Sequence, residues 1–173
     1  MMNMIHNDMN SHSNIVEKTM ENLQNHIYTA CIMVNQVLQS GNNIILFGNG
    51  KNALLAELIS SNLKDKYGLE KRVTVLEIAQ NPDDEKVFEN QVSKVYKKGD
   101  LLIGISISGN SVNVLRALSL GRNLECKTIG FSGYDGGAMN EFCDLNLVVP
   151  SDEIWRITEV QLLLGNIICK GIT

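Results

Sequence analysis

The feature that most constrains the fold is a series of short, uninterrupted apolar runs, each alternating with a stretch of helical periodicity. The runs span residues 44–47, 73–78, 101–106, 127–131 and 145–149. Successive side chains of a strand point to opposite faces of its sheet, so a wholly apolar strand must be covered on both sides. Strands of this kind alternating with helices predict an α/β domain with about five parallel strands.

Helices are predicted between these strands and at both ends of the chain. The inner helices span residues 53–66, 85–97 and 111–123. A polar segment, 1–13, precedes a single domain, 14–173, which opens with a long amphipathic helix that stops near Gly41. The last segment, 153–171, is apolar around most of its circumference. Burial against another subunit is the simplest way to cover it, so we expect a homo-oligomer; the alternative is a monomer that buries this helix internally.

Composition excludes several classes of protein. A length of 173 residues suits one domain, and the net charge of −4 offers no electrostatic case for binding nucleic acid or an acidic membrane. The four cysteines show no C-x-x-C spacing, which argues against a zinc knuckle or a disulfide scaffold. Neither a signal peptide nor a membrane-spanning run is recognisable, so we expect a cytoplasmic protein.

Two strand-to-helix loops are candidates for ligand binding, because ligands of open parallel sheets bind at the carboxyl ends of the strands. The first loop, 48–52, reads Gly-Asn-Gly-Lys-Asn. Ala53 stands where a dinucleotide fingerprint needs its third glycine, and the loop lacks the Gly-Lys-Ser/Thr ending of a P-loop. Its glycines and asparagine permit close approach of a ligand, although a tight turn would use the same residues.

The second loop, 106–111, reads Ser-Ile-Ser-Gly-Asn-Ser and is called the serine loop below. Its hydroxyls and backbone N–H groups converge on a predicted helix N-terminus, where the helix dipole favours an anion. This arrangement suits a phosphate monoester. The alternative is structural, with Ser111 as the helix N-cap and Ser108 as a turn residue.

Together with a third loop, 133–137 (Gly-Tyr-Asp-Gly-Gly), these segments resemble the sugar isomerase (SIS) domain family and its phosphoheptose isomerase branch. The similarity extends to residues 99–106, Val149-Pro150 and Arg156-Ile157 with Glu159. It implies a flavodoxin-like three-layer sandwich, a homotetramer and a site for a phosphorylated ketose or aldose. The resemblance assigns sugar or phosphate binding to Asn49, Gly50, Asn52, Asp83, Ser106, Ser108, Asn110 and Ser111.

The chain departs from the isomerases at the positions that carry chemistry. Counting along the motifs places Asn62 and Asn166 where the family has its catalytic Glu and His. A second family His falls on Leu58 and a Gln on Thr158. None of these residues titrates, and the zinc ligands of some relatives are not retained, so no cofactor or metal is predicted.

Glu57 and Glu159 are the nearest carboxylates that could replace the missing acid and base. The simpler expectation is that Glu57 faces solvent and that Glu159 pairs with Arg156 at i, i+3.

Three functions remain open at this level. The chain could be a phosphoheptose isomerase, which would convert sedoheptulose 7-phosphate to heptose 7-phosphate for surface polysaccharide. It could be a phosphosugar sensor. It also resembles the replication initiator-associating protein of bacteria, a relative of the isomerases without catalytic acid and base, which would make a replication initiator its partner. Direct nucleic-acid or membrane binding is not expected.

Overall fold

A computed structural model describes residues 1–77 and 84–173. It contains a sheet of five parallel strands in the order β2-β1-β3-β4-β5. The strands are β1 (Ile44–Gly48), β2 (Val73–Val75), β3 (Leu101–Ile105), β4 (Lys127–Ser132) and β5 (Leu145–Val148). This is the strand order of a flavodoxin-like fold, in which the chain reverses its direction of travel across the sheet between β1 and β3. The predicted α/β class and the number of strands are confirmed.

Helices cover both faces of the sheet, which explains the uninterrupted apolar strands. They are α1 (Met2–Gln39), α2 (Lys51–Tyr67), α3 (Val87–Val95), α4 (Val112–Asn123), α5 (Met139–Phe142) and α6 (Ile154–Lys170). In β1, Ile44 and Leu46 pack into a core shared with α1, α2 and α6. Ile45 and Phe47 pack into a second core with α3, α4 and α5. Strands β1 and β3, in the middle of the sheet, therefore contribute to two cores.

The first helix begins earlier than the sequence pattern indicates. Residues 1–13, predicted as a polar segment before the domain, are helical from Met2 onward. Asp8, Ser11 and His12 in this part of α1 hydrogen-bond to Arg156 and Glu159 of α6. These polar contacts attach the stretch to the domain while its apolar residues, such as Met4 and Met9, stay exposed, so no buried apolar stripe marks it.

Two further differences concern the middle of the chain. The short helix α5 was not predicted, since it has only four residues. The far end of the second predicted strand, and with it the candidate Asp83, lie outside the described residues.

Helix α6 is buried mainly within the chain, between α1 and α2. Ile157, Val160 and Leu164 are fully buried, whereas Ile167 is 38% exposed. Internal packing therefore accounts for much of the apolar circumference that suggested an oligomer. None of the helices described is long and apolar enough to cross a membrane.

Candidate functional site

The first loop and the serine loop begin side by side at the reversal point of the sheet. Gly48, the last residue of β1, is in register with Ile105, the last residue of β3. A Cβ on Gly48 would lie 2.8 Å from the Ile105 carbonyl oxygen and 2.7 Å from the Asn52 Cβ. Glycine at this position thus allows the two strand ends and the start of α2 to close around one crevice. A crevice at this point is where ligands of such sheets bind.

The hydroxyls of the serine loop face each other. The Oγ atoms of Ser106 and Ser111 are 2.9 Å apart, and Ser106 is completely buried. Ser111 occupies the N-cap position of α4, yet its hydroxyl makes no capping hydrogen bond. Ser108 is exposed, and its Oγ accepts a 3.3 Å hydrogen bond from the Asn110 amide. The Ser111 hydroxyl is therefore not used as a cap and remains available to a ligand.

The third loop holds the serine loop in place. Gly109 has a φ of +68°, and a Cβ there would lie only 2.0 Å from the Gly136 carbonyl oxygen. The Asn110 Oδ1 accepts a 2.9 Å hydrogen bond from the Ala138 amide, and the Gly109 carbonyl accepts one of 3.0 Å from Met139. The sequence does not predict this packing, because the glycine pair of the third loop contains no signal of a partner so far away in the chain.

The first loop is joined to α4 by paired amides. Asn49 and Asn113 exchange two side-chain hydrogen bonds of 2.8 and 3.0 Å. The Asn113 Oδ1 also accepts the Val114 backbone N–H at 2.9 Å, which orders the first turn of α4. Asn113 was missed from the sequence, because an asparagine inside a helix carries no specific signal.

Asn52 lies deeper in the same loop. It is 6% exposed, and its Oδ1 has no hydrogen-bond partner within the described residues. Gly50 precedes it with a φ of +52° and forms the N-cap of α2. A buried carbonyl oxygen without a donor is costly, so Asn52 is equipped to accept a hydrogen bond from a ligand hydroxyl.

A lysine and a tryptophan join the rim of the crevice to α6. The Lys51 Nζ lies 4.5 Å from the centre of the Trp155 ring. Trp155 is 70% exposed. Neither residue was selected from the sequence, since a single exposed aromatic in a helix has no spacing that marks it.

A shallow cleft of about 720 Å³ lies beside the serine loop. It is lined by Ser108, Asn110, Tyr134, Asp135, Pro150, Ser151 and Asp152. The two carboxylates disfavour an anion next to Asp135 and Asp152. Ser108 and Asn110 thus border this cleft from the serine-loop side.

The two positions assigned by counting to the catalytic Glu and His are adjacent in space. The Asn62 Nδ2 donates a 2.9 Å hydrogen bond to the Asn166 Oδ1, linking α2 to α6. Leu58, one turn earlier, is 45% exposed. The Thr158 hydroxyl is directed back to the Ile154 carbonyl at 2.9 Å. The two positions that the resemblance assigns to the catalytic Glu and His are therefore occupied by neutral amides that bond to each other.

Comparison with known proteins decides the family. The SIS domain model matches residues 9–133 of the chain. The chain belongs to the SIS domain family. A phosphoheptose isomerase of Aliarcobacter butzleri is 40% identical over 92% of this chain and 90% of its own length. One from Nitratiruptor is 39% identical over 98% of the chain and 97% of its own length.

The fold comparison agrees with the sequence comparison. The structure of a phosphoheptose isomerase from Neisseria gonorrhoeae matches this SIS domain with a TM-score of 0.89 and 26% identity. The match covers 98% of this chain and 96% of that one. The SIS domain described here is thus phosphoheptose isomerase-like over its whole length.

The amide pair of this SIS domain borders a cavity of about 380 Å³ whose side chains do not suit zinc. Lys66 and Lys170 contribute ammonium groups there, and burial raises the pKa of the Cys169 thiol to about 11. Zinc prefers thiolate, imidazole and carboxylate ligands, whereas this cavity offers amides, a protonated thiol and a single carboxylate, Asp65. The described residues contain no cluster of three or more metal-ligating side chains.

The two carboxylates considered as substitutes lie in ordinary environments. Glu57 is exposed on α2. The Glu159 Oε2 accepts hydrogen bonds of 2.6 Å from Arg156 and 2.8 Å from His12, which confirms the predicted Arg156 pair. Burial acts to raise the pKa of the Glu159 carboxyl, but hydrogen bonds from His12 and Arg156 outweigh it and hold that pKa below its usual value. Glu159 is therefore a poor proton acceptor near neutral pH.

Proposed function

We propose that this SIS-domain protein binds a phosphorylated sugar at the serine loop and does not isomerise it. The observation that carries the proposal is the 2.9 Å hydrogen bond between Asn62 and Asn166. Two amides are bonded to each other at the positions that the family resemblance assigns to a general base and a histidine.

Binding is supported by the form of the crevice. The facing hydroxyls of Ser106 and Ser111 lie where α4 begins, and the amide groups of that helix end favour an anion. The relatives named above are phosphoheptose isomerases, so the proposed ligand class is a ketose or aldose phosphate such as sedoheptulose 7-phosphate.

The chemistry of the isomerase reaction supports the absence of catalysis. Aldose–ketose interconversion moves a proton between adjacent carbons, and this requires a group that accepts and returns a proton near neutral pH. Amide side chains do neither, and loss of one general acid or base typically costs about 10²- to 10⁴-fold in rate. Glu159 is held in its ion pair with Arg156 and does not replace them.

The distance between Lys51 and the amide pair supports a site that two chains share, and a homotetramer is the assembly included in the proposal. Asn62 lies eleven residues after Lys51 in α2, or about 16 Å along the axis. A sugar phosphate at the serine loop of one chain is too short to meet the amide pair of that chain. A groove of about 400 Å³ between α1 and α6, lined by Val16, Met20 and Leu163, offers an apolar surface for a second copy.

Exchange of solvent deuterium into sedoheptulose 7-phosphate tests the proposal directly. The purified protein, with and without added zinc, is expected to leave the sugar unlabelled while the sugar raises its melting temperature. Incorporation of deuterium that depends on Glu57 or Glu159 would contradict the loss of catalysis. A melting temperature that the sugar leaves unchanged would contradict binding.

One observation favours a second candidate, a role in protein interaction. Leu54 is 71% exposed and Leu58 45% exposed on α2, close along that helix to Lys51 and its partner Trp155. Exposed apolar residues that cluster in this way often mark a contact surface. A replication initiator as the partner stays a prediction, and failure of a pull-down to recover the initiator of the native host would count against it.

A further inference from the structure

The crevice between the first loop and the serine loop has two lips that belong to different helices. The lip formed by α4 carries hydroxyls and no charge, while the lip formed by α2 begins with Lys51. Because α2 packs on one face of the sheet and α4 on the other, the two helix starts approach the crevice from opposite sides. A ligand that fills the crevice meets both.

Lys51 contacts an aromatic ring and forms no ion pair within the described residues. Its ammonium rests against the Trp155 ring at 4.5 Å, and no carboxylate lies within ion-pair distance of it among the described parts of the chain. Contact with an aromatic face restricts a lysine without neutralising its charge. The ammonium therefore keeps its capacity to bind an anion.

A second feature of the α2 lip points to a ligand. Asn52, the next residue, is 6% exposed, and its Oδ1 lacks a donor within the described chain. Its Cβ lies against Gly48, where the ends of β1 and β3 meet. This buried acceptor and the restrained ammonium are consecutive residues on the same lip.

We propose that the ligand of this crevice carries a second anionic group, which Lys51, positioned by Trp155, binds while the serine loop binds the first phosphate. The inference rests on the proposed function, since it assumes a sugar phosphate at the serine loop. The ligand class is a sugar bisphosphate or a phosphorylated sugar acid. Lys51 then acts as the residue that determines specificity, and Trp155 as a positioning residue.

The test compares three probes: sedoheptulose 7-phosphate, sedoheptulose 1,7-bisphosphate and 6-phosphogluconate. Trp155 is the single tryptophan of the chain, so its fluorescence reports occupation of the rim. We expect at least one of the two probes with a second anionic group to bind about tenfold more tightly than the monophosphate. Which of them does so separates a second phosphate from a carboxylate.

Variants assign the difference to named side chains. Lys51→Met should abolish the preference, because it should lower affinity for the preferred probe about tenfold and affinity for the monophosphate far less, as measured by calorimetry. Lys98→Met is the matched control. Lys98 precedes β3 at the amino ends of the strands, away from the crevice, and pairs with Glu125. Trp155→Leu should reduce the preference, and Trp155→Phe should restore it by returning an aromatic face.

The outcomes separate this inference from the function on which it rests. If the monophosphate binds and Lys51→Met keeps the wild-type preference, or if wild-type protein shows no preference, the inference is overturned and the proposed function stands. If no probe binds the wild-type protein, both are overturned. Thermal unfolding of each variant confirms that it is folded before its affinity is interpreted.

Discussion

The serine loop and the α2–α6 amide pair differ in what holds them together. The loop is fixed by backbone contacts, with Gly109 packed against the Gly136 carbonyl. The pair is fixed by two side chains, Asn62 and Asn166, on helices whose positions are set by the core. A change in the loop backbone should therefore disturb the fold, whereas replacing both members of the pair together should alter mainly the chemistry.

If the proposed function holds, this difference explains how the serine loop is retained while the side chains of the pair are replaced. Asparagine at both positions satisfies its own hydrogen bond, so the exchange of ionisable for neutral side chains leaves no buried polar group unpaired. Membership of the SIS family thus describes the fold. Whether a protein with this fold catalyses a reaction depends on the side chains of its site, here those on α2 and α6.

The largest expected effect comes from restoring ionisable groups to the amide pair. The double variant Asn62→Glu with Asn166→His should gain measurable isomerisation of sedoheptulose 7-phosphate, because each acid or base contributes about 10²- to 10⁴-fold in rate. Deuterium incorporation and coupled assay of the aldose product measure the gain.

Each single variant is the control for that experiment and should gain far less than the pair. If the double variant folds and binds the sugar yet shows no turnover, more than these two side chains separates this protein from an active isomerase. The comparison would have to include Leu58 and Thr158, which stand where the family has a His and a Gln.

The second largest effect is expected in the serine loop, where close backbone contacts leave no room for a side chain at Gly109. Gly109→Ala introduces a Cβ at a φ of +68° and only 2.0 Å from the Gly136 carbonyl oxygen. We expect a loss of stability of about 2–4 kcal/mol, from strain and displacement of the third loop, together with loss of sugar binding. Urea unfolding measures the first and calorimetry the second.

Gly41→Ala provides the matched control for this strain. Gly41 also has a positive φ, +81°, but a Cβ there would meet nothing within 4 Å. Its substitution should cost about 1 kcal/mol and leave binding intact. Equal losses for the two variants would show that packing against the third loop contributes nothing.

Removing the loop hydroxyls should affect binding without affecting the fold. Ser108→Ala with Ser111→Ala is expected to abolish the rise in melting temperature that sedoheptulose 7-phosphate produces, a loss of roughly 10²-fold in affinity or more for two phosphate contacts. Ser93→Ala is the control, since the Ser93 hydroxyl bonds only to the Asn90 carbonyl of its own helix. If the sugar raises the melting temperature of the double variant as much as that of the wild-type protein, this loop does not bind the phosphate.

The sequence predicts these regions to different extents, for physical reasons. Five apolar runs predict the strands because burial on both faces leaves few polar positions in them, most of all in the central strands β1 and β3. The serine loop is recognisable because its residues are consecutive. The bond between Asn49 and Asn113 joins residues far apart in the chain, and periodicity contains no information on such a contact.

Polar packing is hidden from the sequence in the same way. The first turns of α1 are attached by hydrogen bonds from Arg156 to Asp8 and Ser11, not by an apolar stripe, so the helix was expected to begin later. Counting along the family motifs assigns Asn62 and Asn166 to the positions of the family's catalytic Glu and His. It could not show that the two amides bond to each other.

The smallest expected effect tests whether the amide pair is structural only. Asn166→Ala leaves the Asn62 amide without its partner, and we expect about 1 kcal/mol of destabilisation, a shift of about 2–4 °C in melting temperature. The double variant Asn62→Leu with Asn166→Leu should be nearly neutral, because replacing both partners leaves no polar group unpaired. Neither variant should change affinity for sedoheptulose 7-phosphate if that affinity comes from the serine loop and the α2 lip. A tenfold loss of affinity in either variant would show that the amide pair of a second subunit, which the proposed assembly brings to the sugar, contributes to binding as well as occupying the positions assigned to catalysis.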